Sequence, residues 1–267
     1  MSFHLSDSLH PSDSLRSAVV SRLRAAGCVF AEDEAELLFA AARDADELDA
    51  MAGRRAAGLP LEQVVGWAAF SGLRIAVDPG VFVPRRRTEF LVDQAVGLAA
   101  AGAVCVDLCC GSGAAAAVLL SAVPDAEVHA SDIEPAAVRC ARRNVEPLGG
   151  RVYEGDLFAP LPGALRGRVD VLVANVPYVP SGEVGLLPAE AREHEPLVAL
   201  DGGADGLDVL RRVAAEAAVW LAPGGSLLSE VSEQQCAPAI DALAGAGLTP
   251  RVVTDEDLYA TVLIATR

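Results

Sequence analysis

Residues 104–113 read Val-Cys-Val-Asp-Leu-Cys-Cys-Gly-Ser-Gly. A short apolar run closed by glycines is typical of a buried β-strand that ends in a tight turn. The alanine-rich segment at 114–122 predicts a helix directly after the turn. Asp132 ends the next apolar run, about twenty residues further on, and this spacing is typical of α/β folds that bind a nucleotide.

Strands and helices alternate outward from this stretch. The predicted helices lie at about 114–122, 135–144 and 207–221. The apolar runs that predict strands lie at 104–108, 127–131, 151–154, 169–173, 226–230, 251–254 and 259–265. Such alternation predicts an α/β fold whose mostly parallel, seven-stranded sheet carries helices on both faces, and the last two strands are close enough to pair antiparallel.

The N-terminal quarter has a different texture. Residues 1–66 are rich in Ala, Leu, Asp, Glu and Arg, and Leu15, Val19 and Leu23 recur at helical spacing, which predicts a small helical domain. Residues 67–84 hold two short β-type runs separated by Ser71-Gly72, which predicts a β-hairpin linker. Residues 85–267 are then left as the catalytic domain.

Composition excludes several classes of protein. Apolar residues make up 52% of the 267, which suits a large buried core, and the net charge of -16, with arginine as the sole basic residue type, argues against binding to a nucleic-acid backbone. No apolar run is long enough for a membrane span, and the N-terminus lacks a signal-peptide pattern, so we expect a soluble, cytoplasmic protein. The six cysteines show no zinc spacing, and no metal site is predicted.

The predicted loop from Cys109 to Gly113 can bind more than one nucleotide. Gly111, Gly113 and Ala116 fit the dinucleotide pattern with alanine in third place. Asp107, however, ends the strand ahead of the glycines, where a carboxylate would repel a pyrophosphate and attract the ammonium of an amino-acid moiety. This favours S-adenosylmethionine, with Asp132 on its ribose, although a carboxylate that merely caps the turn is the alternative for Asp107.

Two further segments complete the predicted site. Asp156 and Leu157 follow the third strand and could contact adenine through a carboxylate and an apolar side chain, although Asp156 could equally be an ordinary turn residue. The fourth strand ends in Asn175-Val176-Pro177-Tyr178. An asparagine oxygen and a backbone carbonyl held by the rigid proline could accept both hydrogens of a planar NH2 group, while the tyrosine ring stacks on it.

With these motifs the chain resembles the HemK/PrmC family of protein-(glutamine-N5) methyltransferases, whose fold is the Rossmann-like class I S-adenosylmethionine-dependent one. The resemblance covers nearly the whole chain. The segments in family order are Phe82-Val83-Pro84-Arg85, Thr88-Glu89, the loop 107–113, Asp132, Asp156, the motif 175–178, Glu195-Pro196 and 199–203. The resemblance implies that Cys109, Cys110, Gly111, Ser112, Gly113, Asp132, Leu157 and Asn175 contact the cofactor. It also implies that Asn175 and the carbonyl of Val176 hold a glutamine amide, and that Phe82 and Thr88 line the pocket.

The chain departs from the family pattern at three places, which marks it as a diverged member. Val176 replaces the first proline of Asn-Pro-Pro-Tyr, so some rigidity is lost while the backbone carbonyl remains. Cys109 replaces a glycine, which is acceptable only if the position does not need a positive φ angle. Arg86 and Arg87 replace a proline and an acid, which predicts a basic lip at the site and puts the usual substrate in doubt.

The resemblance implies transfer of a methyl group to a glutamine in a protein, with the Gly-Gly-Gln loop of a peptide chain release factor as first candidate. The domain 1–66 would then dock a separate surface of that partner. Three alternatives remain open at this stage: methylation of another protein or a small molecule, methylation of a nucleic-acid base amine, and a non-catalytic S-adenosylmethionine-binding paralogue. The intact Asn175, Pro177 and Tyr178 argue against the last of these.

Overall fold

The N-terminal part of the chain is a helical bundle. The computed structural model describes residues 13–267, so residues 1–12 of the predicted helical domain lie outside the described residues. Four helices follow: α1 Asp13–Ala25, α2 Ala31–Ala41, α3 Ala45–Ala56 and α4 Leu61–Val65. They bury a shared core that includes Val19, Leu23, Leu38 and Leu48, because apolar residues three or four apart lie on one helix face.

The predicted hairpin follows the bundle. Strands β1 (Trp67–Phe70) and β2 (Leu73–Ala76) pair antiparallel. Ser71 and Gly72 form the turn with φ angles of 44° and 75°. The free edge of β2 is tied to the remainder of the chain by Asn144, whose side chain bonds both the N–H and the carbonyl of Ala76 at 2.9 Å. The hairpin is thereby anchored on the next domain.

Residues after the hairpin form a seven-stranded sheet with helices on both faces. The strands run in the order β5-β4-β3-β6-β7-β9-β8, and β9 pairs antiparallel with both of its neighbours while the other pairs are parallel. The elements are α5 Thr88–Leu98, β3 Val104–Leu108, α6 Ala114–Ala122, β4 Glu127–Asp132, α7 Pro135–Val145, β5 Arg151–Glu154, β6 Val169–Ala174, α8 Ala189–His194, α9 Asp208–Trp220, β7 Leu221–Glu230, α10 Cys236–Gly245, β8 Thr249–Asp255 and β9 Ala260–Thr266. The predicted α/β fold is confirmed.

Two apolar clusters, one on each face of the sheet, form the core. The central strands carry apolar residues at consecutive positions because both of their faces are covered by helices. All five residues of β3, including Asp107, are buried. A polar side chain on such a strand has to form its hydrogen bonds near the end of the strand.

The structure differs from the sequence prediction at the end of α9. The helix stops at Trp220, and Pro223-Gly224-Gly225 lie within β7 instead of forming the stop signal. A Cβ atom on Gly225 would lie 2.5 Å from the carbonyl oxygen of Val169, so glycine is required where β7 approaches β6. Helices α5, α8 and α10 were not predicted individually.

The strand order determines where a ligand can bind. Chain connections leave β3 toward β4 on one side and β6 toward β7 on the other, so a crevice opens beyond the carboxyl ends of these strands. Every predicted site segment from Asp107 to Tyr178 lies at the carboxyl end of a parallel strand or directly after it, on this same edge of the sheet. Among residues 13–267, no helix is long and apolar enough to cross a bilayer.

Candidate active site

The loop between β3 and α6 turns through several left-handed residues. Cys109, Gly111 and Gly113 have φ angles of 54°, 55° and 77°. The condition stated above for tolerating Cys109 is therefore not met, because the cysteine occupies a conformation that favours glycine and costs a side chain about 1–2 kcal/mol. Gly113 has a second constraint, since a Cβ atom there would lie 2.7 Å from Val145 on α7.

Asp132 holds the loop in place. Its two carboxylate oxygens accept hydrogen bonds from the backbone N–H groups of Gly111, at 2.8 Å, and Glu134, at 2.9 Å. Burial raises the pKa of this carboxyl, while the two N–H donors act in the opposite direction. No basic side chain is among its hydrogen-bond partners, so its negative charge faces the cavity without a counterion.

Asp107 lies deeper than predicted. Its side chain is 2% exposed and accepts a hydrogen bond from the N–H of Ala116 in the first turn of α6 at 3.1 Å. This is the hydrogen bond expected of a carboxylate that caps the turn. Asp107 is not among the residues that line the cavity described below. Burial raises the pKa of this carboxyl to about 7. An incoming cation would therefore meet a group that is close to its titration midpoint at neutral pH.

A cavity of about 740 Å³ opens at the carboxyl ends of the strands, a size typical of a cofactor site. One wall, the glycine-loop side, includes Cys109, Gly111, Asp132, Ile133, Asp156 and Leu157. The opposite wall, the Asn175 side, consists of Phe82, Arg85, Arg87, the motif 175–178 and residues of the segment 187–200. The predicted residues Cys110, Ser112, Gly113 and Thr88 do not line it and lie behind these walls.

The far end of the glycine-loop side is formed after β5. Leu157 has a φ angle of 48°, and its carbonyl accepts a hydrogen bond from the Ser131 hydroxyl at 2.8 Å, which joins this turn to the end of β4. Asp156 lines the cavity but is already paired with Arg212 on α9 at 2.5 Å. A ligand amine would share this carboxylate with the guanidinium.

Asn175 is the most informative residue of the cavity. Its Oδ1 atom is buried and has no hydrogen-bond partner, one of two such side-chain atoms within residues 13–267. Its Nδ2 atom lies 3.5 Å from the Thr88 hydroxyl oxygen. Buried acceptors are nearly always satisfied in folded proteins, so an orphaned one in a cavity wall indicates a donor supplied by a ligand.

The backbone after Asn175 is tightly enclosed. Val176 is buried, and a Cβ atom on Gly202 would lie 2.6 Å from the carbonyl oxygen of Pro177. Gln235 donates from Nε2 to the carbonyl of Tyr178 at 2.8 Å. These contacts restrain the motif from outside, which compensates for the rigidity that the missing proline would have supplied.

Glu230 and Arg87 meet at the hydroxyl group of Tyr178. Glu230, 3% exposed at the end of β7, accepts from the Tyr178 hydroxyl at 2.9 Å and pairs with Arg87 at 2.7 Å. Arg87 also donates to the Tyr178 hydroxyl oxygen, and its guanidinium carbon lies 5.6 Å from the ring centroid. Burial and the neighbouring Glu230 carboxylate raise the pKa of Tyr178, so the phenol stays protonated.

A second arginine is neutralised in the same way. Arg85 pairs with Glu195 at 2.5 Å and lies over the Phe82 ring at 4.7 Å. Glu195 also accepts from the N–H of Val83 at 3.1 Å. Of the two arginines that predict a basic lip, Arg87 is paired with Glu230, and Arg86 is exposed and does not line the cavity, so the lip is less basic than the sequence predicts.

The helical bundle contacts this wall directly. Arg55 of α3 pairs with Glu34 of α2 at 2.6 Å and with Glu190 of α8 at 3.2 Å. Gln63 donates to the carbonyl of Val81 at 3.0 Å and, more weakly, to that of His194 at 3.4 Å. The segment 187–200 therefore rests on the bundle as well as on the sheet.

Comparison with known proteins agrees with this geometry. Residues 72–188 match the family model described as the methyltransferase small domain. A "release factor glutamine methyltransferase" of Mycolicibacterium smegmatis is 39% identical over 231 residues, which is 85% of this chain and 82% of the relative. The chain belongs to the release factor glutamine methyltransferase family. S-adenosylmethionine is the methyl donor of such methyltransferases.

Other members and neighbours extend the comparison. A release factor glutamine methyltransferase of Geobacter sulfurreducens is 41% identical over 191 residues, 70% of this chain and 66% of the relative, just under two thirds of its length. A "4-amino-L-phenylalanine/4-methylamino-L-phenylalanine methyltransferase" of Streptomyces pristinaespiralis is 40% identical over 69% of this chain and 65% of its own. The solved structure of a methyltransferase from Pyrococcus furiosus, 18% identical, covers 74% of this chain and 90% of its own with a TM-score of 0.55, and it supports the fold alone.

In this member of the release factor glutamine methyltransferase family, Glu230 and Gln235 are not predicted as site residues from the sequence, and the partners of Glu195 and Arg87 are not predicted either. A usable signal existed for Glu230, because an acid at the end of an apolar strand falls at the carboxyl edge of a parallel sheet. Glu195, Arg87 and Gln235 lie in loops or at helix starts, and no local pattern indicates which residues they contact.

Proposed function

We propose that this protein transfers a methyl group from S-adenosylmethionine to the side-chain amide nitrogen of a glutamine in a protein. The observation that carries the proposal is the buried, unpartnered Oδ1 of Asn175 in the cavity wall, an acceptor suited to one hydrogen of an amide NH2. The relatives are named for release factors, which supports a release factor as the substrate protein, and we propose its Gly-Gly-Gln loop as the segment that enters the cavity.

The glycine-loop side fits S-adenosylmethionine. Asp132 presents a carboxylate without a basic partner to the cavity, suited to ribose hydroxyls, and the exposed Ile133 with Leu157 offers apolar contact to a planar base. Asp107 lies below the loop, where ionisation would favour the ammonium group. When bound, S-adenosylmethionine supplies an electrophilic methyl group on a positively charged sulfur.

The Asn175 side would orient the acceptor. An amide nitrogen is a poor nucleophile because its lone pair is delocalised into the carbonyl group. Asn175 Oδ1 and the carbonyl of Val176 can accept the two amide hydrogens, which directs the nitrogen toward the methyl group and stabilises positive charge that develops on it. Tyr178 and Phe82 enclose the amide and exclude water. Arg85 and Arg87 are each paired with a carboxylate, so neither presents a free positive charge to a neutral substrate.

We further propose that residues 1–66 recognise the substrate protein, that residues 67–84 act as a linker, and that residues 85–267 carry the reaction, all in the cytoplasm. The contact of Arg55 with Glu190 supports this division, because Glu190 lies in the wall of the cavity that the glutamine would enter. Nucleic acid is a poor candidate partner because the net charge is -16 and Arg85 and Arg87 are occupied.

The test is methylation of a purified release factor. With S-adenosylmethionine, we expect a gain of one methyl group on the glutamine of the Gly-Gly-Gln loop, located by mass spectrometry of the digested protein. The matched control is the same release factor with that glutamine replaced by asparagine, whose shorter side chain would not reach the methyl group. Labelling of the control at the same rate, or labelling at another residue, would contradict the proposed substrate.

A second candidate is methylation of a small aromatic amine, which the 40% identity to the methyltransferase of Streptomyces pristinaespiralis favours. An arylamine also presents a planar NH2 group to Asn175. The two candidates are separated by offering 4-amino-L-phenylalanine and the release factor together. Preferential methylation of the amino acid would favour the second candidate function over the first. The cavity would still be the site of methyl transfer.

A further inference from the structure

Glu230 is a buried carboxylate that the proposed reaction does not use directly. It does not line the cavity, yet Arg87 and Tyr178 of the Asn175 side and Thr88 behind that wall converge on it. The Thr88 hydroxyl lies 2.8 Å from Oε2, the Tyr178 hydroxyl 2.9 Å from Oε1, and the Arg87 Nε 2.7 Å from Oε1. With 3% of the residue exposed, water cannot replace these partners.

The chemistry of these groups determines the direction of each hydrogen bond. A carboxylate only accepts, so the single hydrogen of the Thr88 hydroxyl has to point at Glu230. The lone pairs of that hydroxyl are then left to accept from a donor, and the atom opposite them is Nδ2 of Asn175 at 3.5 Å. The NH2 end of the carboxamide is thereby directed at Thr88, and Oδ1 is directed away from it, where it is unpartnered.

We propose that Glu230 is a positioning residue that selects the orientation of the Asn175 carboxamide through Thr88 and holds Tyr178 directly. The inference rests on the proposed function, since the orientation matters only if Asn175 accepts from the substrate amide. Turned over, the carboxamide would present two N–H donors to an NH2 group, and the acceptor would lose a hydrogen bond. Arg87 supplies the counter-charge that a buried carboxylate requires.

The proposal is tested first with a pair of substitutions at Thr88. Thr88→Val keeps the shape of the side chain but removes the hydroxyl, and we expect kcat to fall by roughly 10- to 100-fold, as misplacement of a bound group does. KM for the release factor and the affinity for S-adenosylmethionine should stay within a few-fold. Thr88→Ser restores the hydroxyl and should recover most of the turnover, while the exposed Thr249→Val on β8 serves as the control for a lost threonine hydroxyl.

Glu230→Gln tests whether Glu230 selects the orientation of the Asn175 carboxamide. A glutamine can donate to Thr88 as well as accept from it, so both orientations of Asn175 become possible and kcat should fall as in Thr88→Val. The melting temperature is measured for each variant, and the comparison is confined to variants that fold. Equal turnover in Thr88→Val and Thr88→Ser, or a wild-type kcat in folded Glu230→Gln, would overturn the positioning role.

A spectroscopic measurement separates this inference from the proposed function. The side-chain NH2 signal of Asn175 is identified by its absence from Asn175→Asp, and its hydrogen exchange is compared among wild type, Thr88→Ser and Thr88→Val. We expect slow exchange of one proton in the first two and fast exchange of both in the third. If wild type methylates no glutamine, the proposed function fails, and this comparison alone then supports or overturns the orientation of Asn175.

Discussion

The two walls of the cavity are built in opposite ways. On the glycine-loop side, Asp107 and Asp132 accept from backbone N–H groups 9 and 21 residues away and have no basic partner. On the Asn175 side, Glu195 pairs with Arg85, 110 residues away, and Glu230 pairs with Arg87 and accepts from Thr88, which is 142 residues away. The carboxylates of Asp107 and Asp132 therefore carry their negative charge without a counterion, whereas those of Glu195 and Glu230 are each neutralised by an arginine.

The largest effect is expected on the Asn175 side. Asn175→Ala removes the acceptor for the substrate amide, and we expect turnover to fall by roughly 100- to 1,000-fold, as on loss of one preorganised hydrogen-bonding group in other active sites. Cofactor affinity should remain within a few-fold of wild type, measured by calorimetry. Turnover near the wild-type value would refute the assignment of the two walls to different ligands.

The matching substitution on the glycine-loop side is Asp132→Ala. It removes the carboxylate that faces the cavity and frees the N–H groups of Gly111 and Glu134, so we expect S-adenosylmethionine to bind about 1–3 kcal/mol more weakly. Calorimetry gives the affinity directly, and single-turnover rates at saturating cofactor should change much less. A large loss of rate at saturation with unchanged affinity would reverse the proposed roles.

Asp107 predicts a pH dependence. Its folded pKa of about 7 lies above the unfolded value of about 3.9, so the folded state retains a proton that the unfolded state releases. The free energy of unfolding of the cofactor-free protein should therefore decrease as the pH rises from about 4 to about 7. Cofactor affinity should rise between pH 6 and pH 8, because the ammonium favours the ionised carboxylate.

Asp107→Asn is the control for this behaviour. The difference between wild type and variant isolates Asp107 from other groups that titrate in the same range, including Asp132 and Glu195, whose pKa values burial also raises. In the variant, the contribution of Asp107 should be missing from the pH dependence of the free energy of unfolding and from that of cofactor affinity. Parallel affinity profiles for the two proteins would show that Asp107 caps α6 and does not contact the ligand.

The smallest effect concerns Cys109. Cys109→Gly places a glycine where φ is 54° and relieves the strain of a side chain in that conformation. We expect a gain in stability of about 1 kcal/mol, or roughly 2–4 °C in melting temperature for a protein of this size. Calorimetric unfolding measures it. A loss of stability would mean that packing of the thiol outweighs the backbone strain.

Much of the glycine-loop side could be predicted from the sequence. A strand that ends in glycines, a helix after it and an acid at the end of the next strand are linked by hydrogen bonds between segments a few tens of residues apart. Parallel pairing of adjacent βα units then places Asp132 beside Gly111 in nearly any such fold. The strained φ angle of Cys109 and the burial of Asp107 could not be predicted, because both depend on the exact backbone conformation of the loop.

Hydrophobic periodicity and glycine positions act over short distances, so the sequence alone predicts the α/β fold, the bundle and hairpin ahead of it, and the edge of the sheet that carries the cavity. Which charges on that edge are paired, and which way the Asn175 carboxamide faces, follow only from the folded structure. The physical reason is that Glu230, Thr88 and Tyr178 meet across 142 and 52 residues of chain, and only the packed sheet brings them within hydrogen-bond distance.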